Sequence, residues 1–163
     1  MKPAPAKAEV HVLATGTPEF CDDAVPIAFE CHQVGRSEKF DFQFHGCVRS
    51  GKLAATLESH KCVVALVQLH RTPHEQSFEK REILHRVQQW GLGEYLCWNG
   101  FELCYYLCSA HGIPVIMVSD TGGDEAVEKA IAAELGAHAL FPWMDKIQPR
   151  FGEILSAILQ RAP

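Results

Sequence analysis

The chain predicts an α/β fold, a three-layer sandwich in which helices flank a five-stranded parallel sheet. Three observations carry this. Short apolar runs alternate with amphipathic helical stretches along most of the sequence. Two of those runs, residues 62–69 and 114–118, are apolar at nearly every position, as strands are when both of their faces are covered. Residues 113–143, IPVIMVSDTGGDEAVEKAIAAELGAHALFPW, spell a complete strand, crossover helix and strand, which makes one parallel unit.

In chain order, residues 1–8 are rich in Pro, Ala and Lys and read as a disordered lead-in to one domain over 9–163. A short strand at 10–14 is followed by the turn Thr15-Gly16-Thr17-Pro18 and a helix over about 19–28, which Pro26 is expected to end or kink. Phe40, Phe42 and Phe44 alternate with Asp41, Gln43 and His45, giving a strand with one apolar face. Ser50 and Gly51 precede a helix that buries Leu53, Ala54 and Leu57, and the central strand 62–69 follows. Residues 70–98 form an insertion. It holds an amphipathic helix over 75–90, with Phe78, Ile83, Leu84, Val87 and Trp90 on one side, and then an aromatic-rich segment containing Trp98. A helix at 101–110 stops at His111-Gly112 before the next strand. In the 124–136 helix, Asp124 and Glu125 occupy the first turn, where acidic groups suit the helix dipole. Val127, Ile131 and Leu135 form its inward stripe, and Gly136 ends it. A strand at 137–141 and a closing helix at 147–159, with Phe151, Ile154, Leu155 and Ile158 inward, complete the chain.

The totals exclude several classes. Hydrophobic residues make up 47% of the 163 and charged residues 21%, which is an ordinary globular balance. The net charge of −5 is spread over both signs without a basic cluster, which argues against direct nucleic-acid binding. No apolar segment reaches membrane-spanning length, and the start, MKPAPAKAEV, lacks the apolar core of a signal peptide. A cytoplasmic location is therefore expected. The seven cysteines, an odd number, fall largely in apolar runs and read as buried free thiols.

The segments PVIMVSD, GDEAVEKAIAAELGA and the strand after them resemble the last third of a response-regulator receiver domain. NGFELCYYLCSAHGIPV is similar to that family's third helix. RSGKLAATLESHKCVVALV is similar to its second helix and third strand, and TPEF fits the turn after the first strand. The resemblance implies a flavodoxin-like, receiver-like sheet and a site built for phosphoryl transfer to an aspartate. That chemistry needs an acidic pair after the first strand to hold Mg²⁺, an acceptor Asp ending the third strand, and a hydroxyl and a Lys ending the fourth and fifth. Carried over by position, the acidic pair falls on Thr15 and Gly16, and the acceptor on Gln68, or on Val67 in the neighbouring register. The hydroxyl falls on Ser119, the Lys on Trp143 and the switching aromatic on Leu140. Only Ser119 matches, and it reads more readily as a strand-ending hydroxyl that caps the next turn than as a switch residue. Asp22 and Asp23 are expected about two turns into the first helix, out of reach. The resemblance thus implies a degenerate receiver, without enzymatic activity and with no cofactor, that signals through protein contacts.

Other patterns compete with that reading. Residues 46–52 fit GxxxxGK between a strand and a helix, a phosphate-cradling context, but Leu53 stands where a Ser or Thr must reach Mg²⁺. Gly122-Gly123-Asp124-Glu125 spells the core of the diguanylate cyclase signature, yet a helix starts on it rather than a hairpin. His45/Cys47, His60/Cys62 and Cys31-His32 suggest a metal or redox sensor, although none has the spacing of a structural zinc site. Cys104 and Cys108 read as core rather than as a thiol pair. His70 and Arg71 end the central strand where doubly wound sheets bind ligands, so they are candidates for an anion pocket. No Ser or Cys stands in a nucleophile elbow, which disfavours a hydrolase. The expected partner is a protein, a second copy of the chain included. The candidate contact surface is Trp90, Trp98, Leu140, Trp143, Met144 and the closing helix.

Overall fold

A strand that is apolar at almost every position is stable only when both of its faces are covered, and β3 (Cys62–Leu69) is accordingly the middle strand of the sheet. The computed structural model describes residues 8–31, 40–47, 50–69, 81, 85, 100–119, 124–141 and 149–161. Beside β3 run β1 (Ala8–Thr15), β2 (Phe40–Cys47), β4 (Val115–Ser119) and β5 (Ala139–Phe141), all parallel, in the order β2-β1-β3-β4-β5. The helices are α1 (Val25–Cys31), α2 (Ser50–Ser59), α3 (Gly100–His111), α4 (Glu125–Glu134) and α5 (Pro149–Arg161).

Alternation along each strand divides the apolar residues between two cores. On one face Leu13, Val67 and Met117 pack with Leu53 of α2, Phe101 and Leu107 of α3, and Ala132 of α4. On the other, Val12, Leu66 and Ile116 pack with Phe29 of α1 and Ile158 of α5. The edge strand β2 sets Phe42 and Phe44 edge-on against Phe29, with ring centroids 5.2 and 5.0 Å apart. The expected three layers and five strands are therefore present.

Three local expectations are corrected. The first helix, entered at Pro18, widens over Phe20–Ala24, where the Val25 N–H reaches back to the Phe20 carbonyl, and continues through Pro26 to Cys31, so of the two expected effects of Pro26 the ending is overturned. Proline cannot donate, and the wide turn closes just before it. Counted from Pro18, Asp22 and Asp23 lie past the helix's first turn, within the wide turn.

The α4 stripe is also rotated. Val127 is 52% exposed, whereas Glu128, Ala132 and Leu135 are buried and Ile131 is half-buried. Asp124 explains the phase: it is the N-cap, accepting from the Ala126 and Val127 N–H groups at 3.0 and 3.2 Å, and so fixes where the helix starts. Gly136, in the left-handed region at φ 99°, ends that segment as expected.

The third correction concerns Leu140. It is only 5% exposed and packs into the α2–α3–α4 core, because its register position beside Met117 points it inward; it offers no contact surface. No helix among the described residues is long and apolar enough to cross a membrane. The 75–90 helix of the sequence reading lies outside the described residues apart from Arg81 and His85, both helical.

Candidate functional site

At the carboxyl edge of the sheet, register brings the ends of three strands together. Thr15 pairs with Val67, Gln68 with Val118, and Leu69 with Ser119. Gly16 turns the chain out of β1, and Thr17 opens the helix. The Thr17 hydroxyl accepts from the Phe20 N–H at 3.3 Å and its carbonyl from the Cys21 N–H at 3.0 Å, while Pro18 needs no partner at the first helical position.

Gln68 reaches across to this turn. Its side-chain oxygen accepts from the Thr17 backbone N–H at 2.8 Å, and the residue is only 6% exposed. The contact dictates a glycine at position 16. The backbone there has φ 151°, and a Cβ would stand 2.5 Å from the Gln68 amide oxygen. Gly100 makes a second close approach from α3, where a Cβ would fall 2.7 Å from the Gln68 carbonyl oxygen. Gln68 is thus tied through its side chain and closely approached at its backbone. Beside it, Thr15 is buried, and its hydroxyl has no hydrogen-bond partner among the described residues. Val67, the neighbouring register, is fully buried and apolar.

Thr15, Gly16 and Gln68 bring no ionised oxygen to this edge. Glu19, the nearest acid in sequence, is exposed. Asp22 lies over the end of β2, where a Cβ on Gly46 would come 3.0 Å from its carboxylate oxygen. Its side chain is exposed. In the strand order it sits on the far side of β1 from Gln68.

Ser119 has a partner that sequence reading missed. Its hydroxyl donates to a Glu128 carboxylate oxygen at 2.7 Å, with both residues buried. The bond links β4 to α4, and the turn that Ser119 is expected to cap lies outside the described residues. The missed signal was helical phase: once Asp124 is the cap, Glu128 faces the sheet.

With this geometry in hand, comparison with known proteins identifies the class of fold. No family model matches the sequence, and no curated protein matches it. Solved structures do match. A response-regulator receiver domain protein from Clostridium thermocellum superimposes with TM-score 0.57 at 10% identity, covering 93% of this chain and 95% of that one. A response regulator from Thermotoga maritima gives TM-score 0.55 at 15% identity over 91% and 98% of the two chains. A CheY-like receiver domain protein from Methanospirillum hungatei JF-1 gives 0.52 at 15% identity over 94% and 96%. The chain has the receiver fold.

The remaining expectations divide. Trp90, Trp98, Trp143, Met144, His70, Arg71 and the Gly122-Gly123 pair lie outside the described residues. Within the GxxxxGK pattern, Gly46 and Cys47 belong to β2 and α2 already starts at Ser50, so only two residues separate strand from helix. That is too short for a loop wrapped around phosphates. Cys21 and Cys62 are core thiols, pushed up by burial to about 12 and about 11. Cys104 lies in the core and Cys108 packs against it, as expected, with the Cys108 thiol donating to the Gly136 carbonyl at 3.6 Å.

The His/Cys pairs separate. Cys47 turns into the core, its thiol near the Thr56 hydroxyl at 3.6 Å, while His45 and His60 converge with His11, a residue the sequence reading did not single out. Finding His11 required the pairing of β1 with β2. Burial, followed by the neighbouring His60 and His11, holds His45 below the ordinary imidazole range.

Proposed function

We propose that this chain is a receiver-like signalling module that has exchanged phosphoacceptor chemistry for a fixed internal contact and acts through protein–protein binding. One observation supports this above the others. At the position where the resemblance puts an acceptor aspartate, an amide side chain is tied to the Thr17 N–H. A carboxamide forms no acyl phosphate. Thr15 and Gly16, at the positions of the acidic pair, supply no carboxylate for Mg²⁺, an ion that demands near-octahedral oxygen ligation. Ser119 keeps the hydroxyl, but its hydrogen is directed to Glu128. The module then transmits by shape, and it has no enzymatic activity of its own.

The face formed by β5 and α5, together with Trp143 and Met144, is the contact surface the resemblance suggests, with a second copy of the chain as one partner. Incubation with acetyl phosphate and Mg²⁺ followed by intact-mass measurement tests the reading. The expected result is an unchanged mass. A stoichiometric phosphoryl adduct would overturn it.

A further inference from the structure

Three histidines from different elements meet on the α2 side of the sheet. His11 lies on β1, His45 on β2, and His60 in the connection between α2 and β3. Their rings are stacked or tilted against one another, with centroids 4.3 Å apart for His11–His60, 4.6 Å for His45–His60 and 5.0 Å for His11–His45. His11 Nδ1 and His45 Nε2 face each other at 2.8 Å, and one ring nitrogen from each of the three lies within 4.8 Å of the others.

We propose that His11, His45 and His60 form a binding site for a divalent transition-metal ion of the zinc type. Neutral imidazole nitrogens are borderline ligands that suit Zn²⁺, Co²⁺, Ni²⁺ and Cu²⁺, whereas Mg²⁺ and Ca²⁺ want an oxygen cage. Three imidazoles on one ion leave a fourth position for water. Glu9 is the nearest acid, its carboxylate 3.6 Å from His11 Nε2, and is placed to orient that ring as an outer partner. Tetrahedral ligation with metal–nitrogen bonds of about 2.0–2.1 Å sets the nitrogens about 3.3 Å apart. The facing His11 and His45 nitrogens already approach more closely than that, so closure falls to His60. Placed in a connection rather than in a strand, His60 is free to adjust by rotamer.

The alternative is a purely structural stack in which His11 and His45 share one proton. That arrangement accounts for two rings but gives the third no hydrogen bond to make with them. Access favours the metal as well. His60 borders a cleft of about 370 Å³ that also touches Leu57, Lys61, His111 and Ile113. Cys47 and Cys62 are buried in the α2–α3–α4 core, and although Cys62 also borders the cleft, neither thiol belongs to the converging group. A bound ion would join β1, β2 and the start of β3. It would therefore raise stability by mass action, independently of any phosphoryl chemistry at the opposite edge of the sheet.

The test uses the untagged full chain, titrated with Zn²⁺ against a chromophoric chelator, with thermal unfolding followed in parallel. One equivalent should bind and raise the unfolding temperature. His60→Ala, outside the sheet, should fold normally, lose both effects and weaken binding by more than the ten- to hundredfold typical of losing an outer-shell partner (about two decades at least). His11→Ala, where it folds, should do the same. Co²⁺ should give the visible spectrum of nitrogen and oxygen ligands without a sulfur-to-cobalt charge-transfer band. Absence of stoichiometric binding, binding untouched by His60→Ala, or a thiolate band would each overturn the assignment.

Discussion

Ser119 and Glu128 lie 3% and 6% exposed, and the hydroxyl is one of the donors that make a buried carboxylate tolerable. Ser119→Ala removes that donor and leaves the acceptor oxygen in place, so it should cost about 1–3 kcal/mol in urea unfolding. Ser119→Thr, which restores a hydroxyl, should recover most of the loss. A Ser119→Ala protein as stable as the parent would remove the β4–α4 link from the account. The same logic applies to the Gln68 amide oxygen on the Thr17 N–H, where a buried acceptor satisfies a half-buried donor and a glycine leaves room for the contact. Neither pair is visible in the sequence. Each depends on where a turn or helix starts to within one residue, and periodicity does not resolve that.

At the scale of elements, strands were more legible than helix phase. The continuous apolar run of β3 and the alternating phenylalanines of β2 specify burial directly, because a strand has only two faces. For α4, the candidate stripe through Val127, Ile131 and Leu135 and the actual one through Glu128, Ala132 and Leu135 share Leu135 and differ by one position at the other two, a rotation of less than one residue step of about 100°. Hydrophobicity favours the first. Asp124 capping and the Ser119 hydroxyl select the second, and the resulting cost is one exposed valine. Two substitutions measure this phase. Val127→Lys should change stability by under about 0.5 kcal/mol, as at an ordinary surface position. Ala132→Leu, at 2% exposure against α3, should destabilise by about 1–3 kcal/mol through overpacking. Reversal of that order would restore the stripe expected from periodicity.

Across the whole molecule, a receiver fold survives at 10–15% identity to the solved receivers compared above. Alternation of apolar runs and helices is enough to encode that topology, and it was readable without the structure. At the carboxyl edge, positions alone were readable, through the resemblance. What those residues do instead, and how three histidines meet on the α2 side of the sheet, depends on strand register and side-chain reach. The most direct measurement of the central claim follows the Thr17 and Gly16 backbone amides by NMR while Mg²⁺ and beryllofluoride, a phosphoryl mimic, are added. With the Gln68 oxygen already bound to the Thr17 N–H and no carboxylate at positions 15 and 16, both signals should stay in place up to millimolar ligand. Saturable shifts at these amides, lost in Gln68→Ala, would mean that the edge still binds the ion and the phosphoryl group.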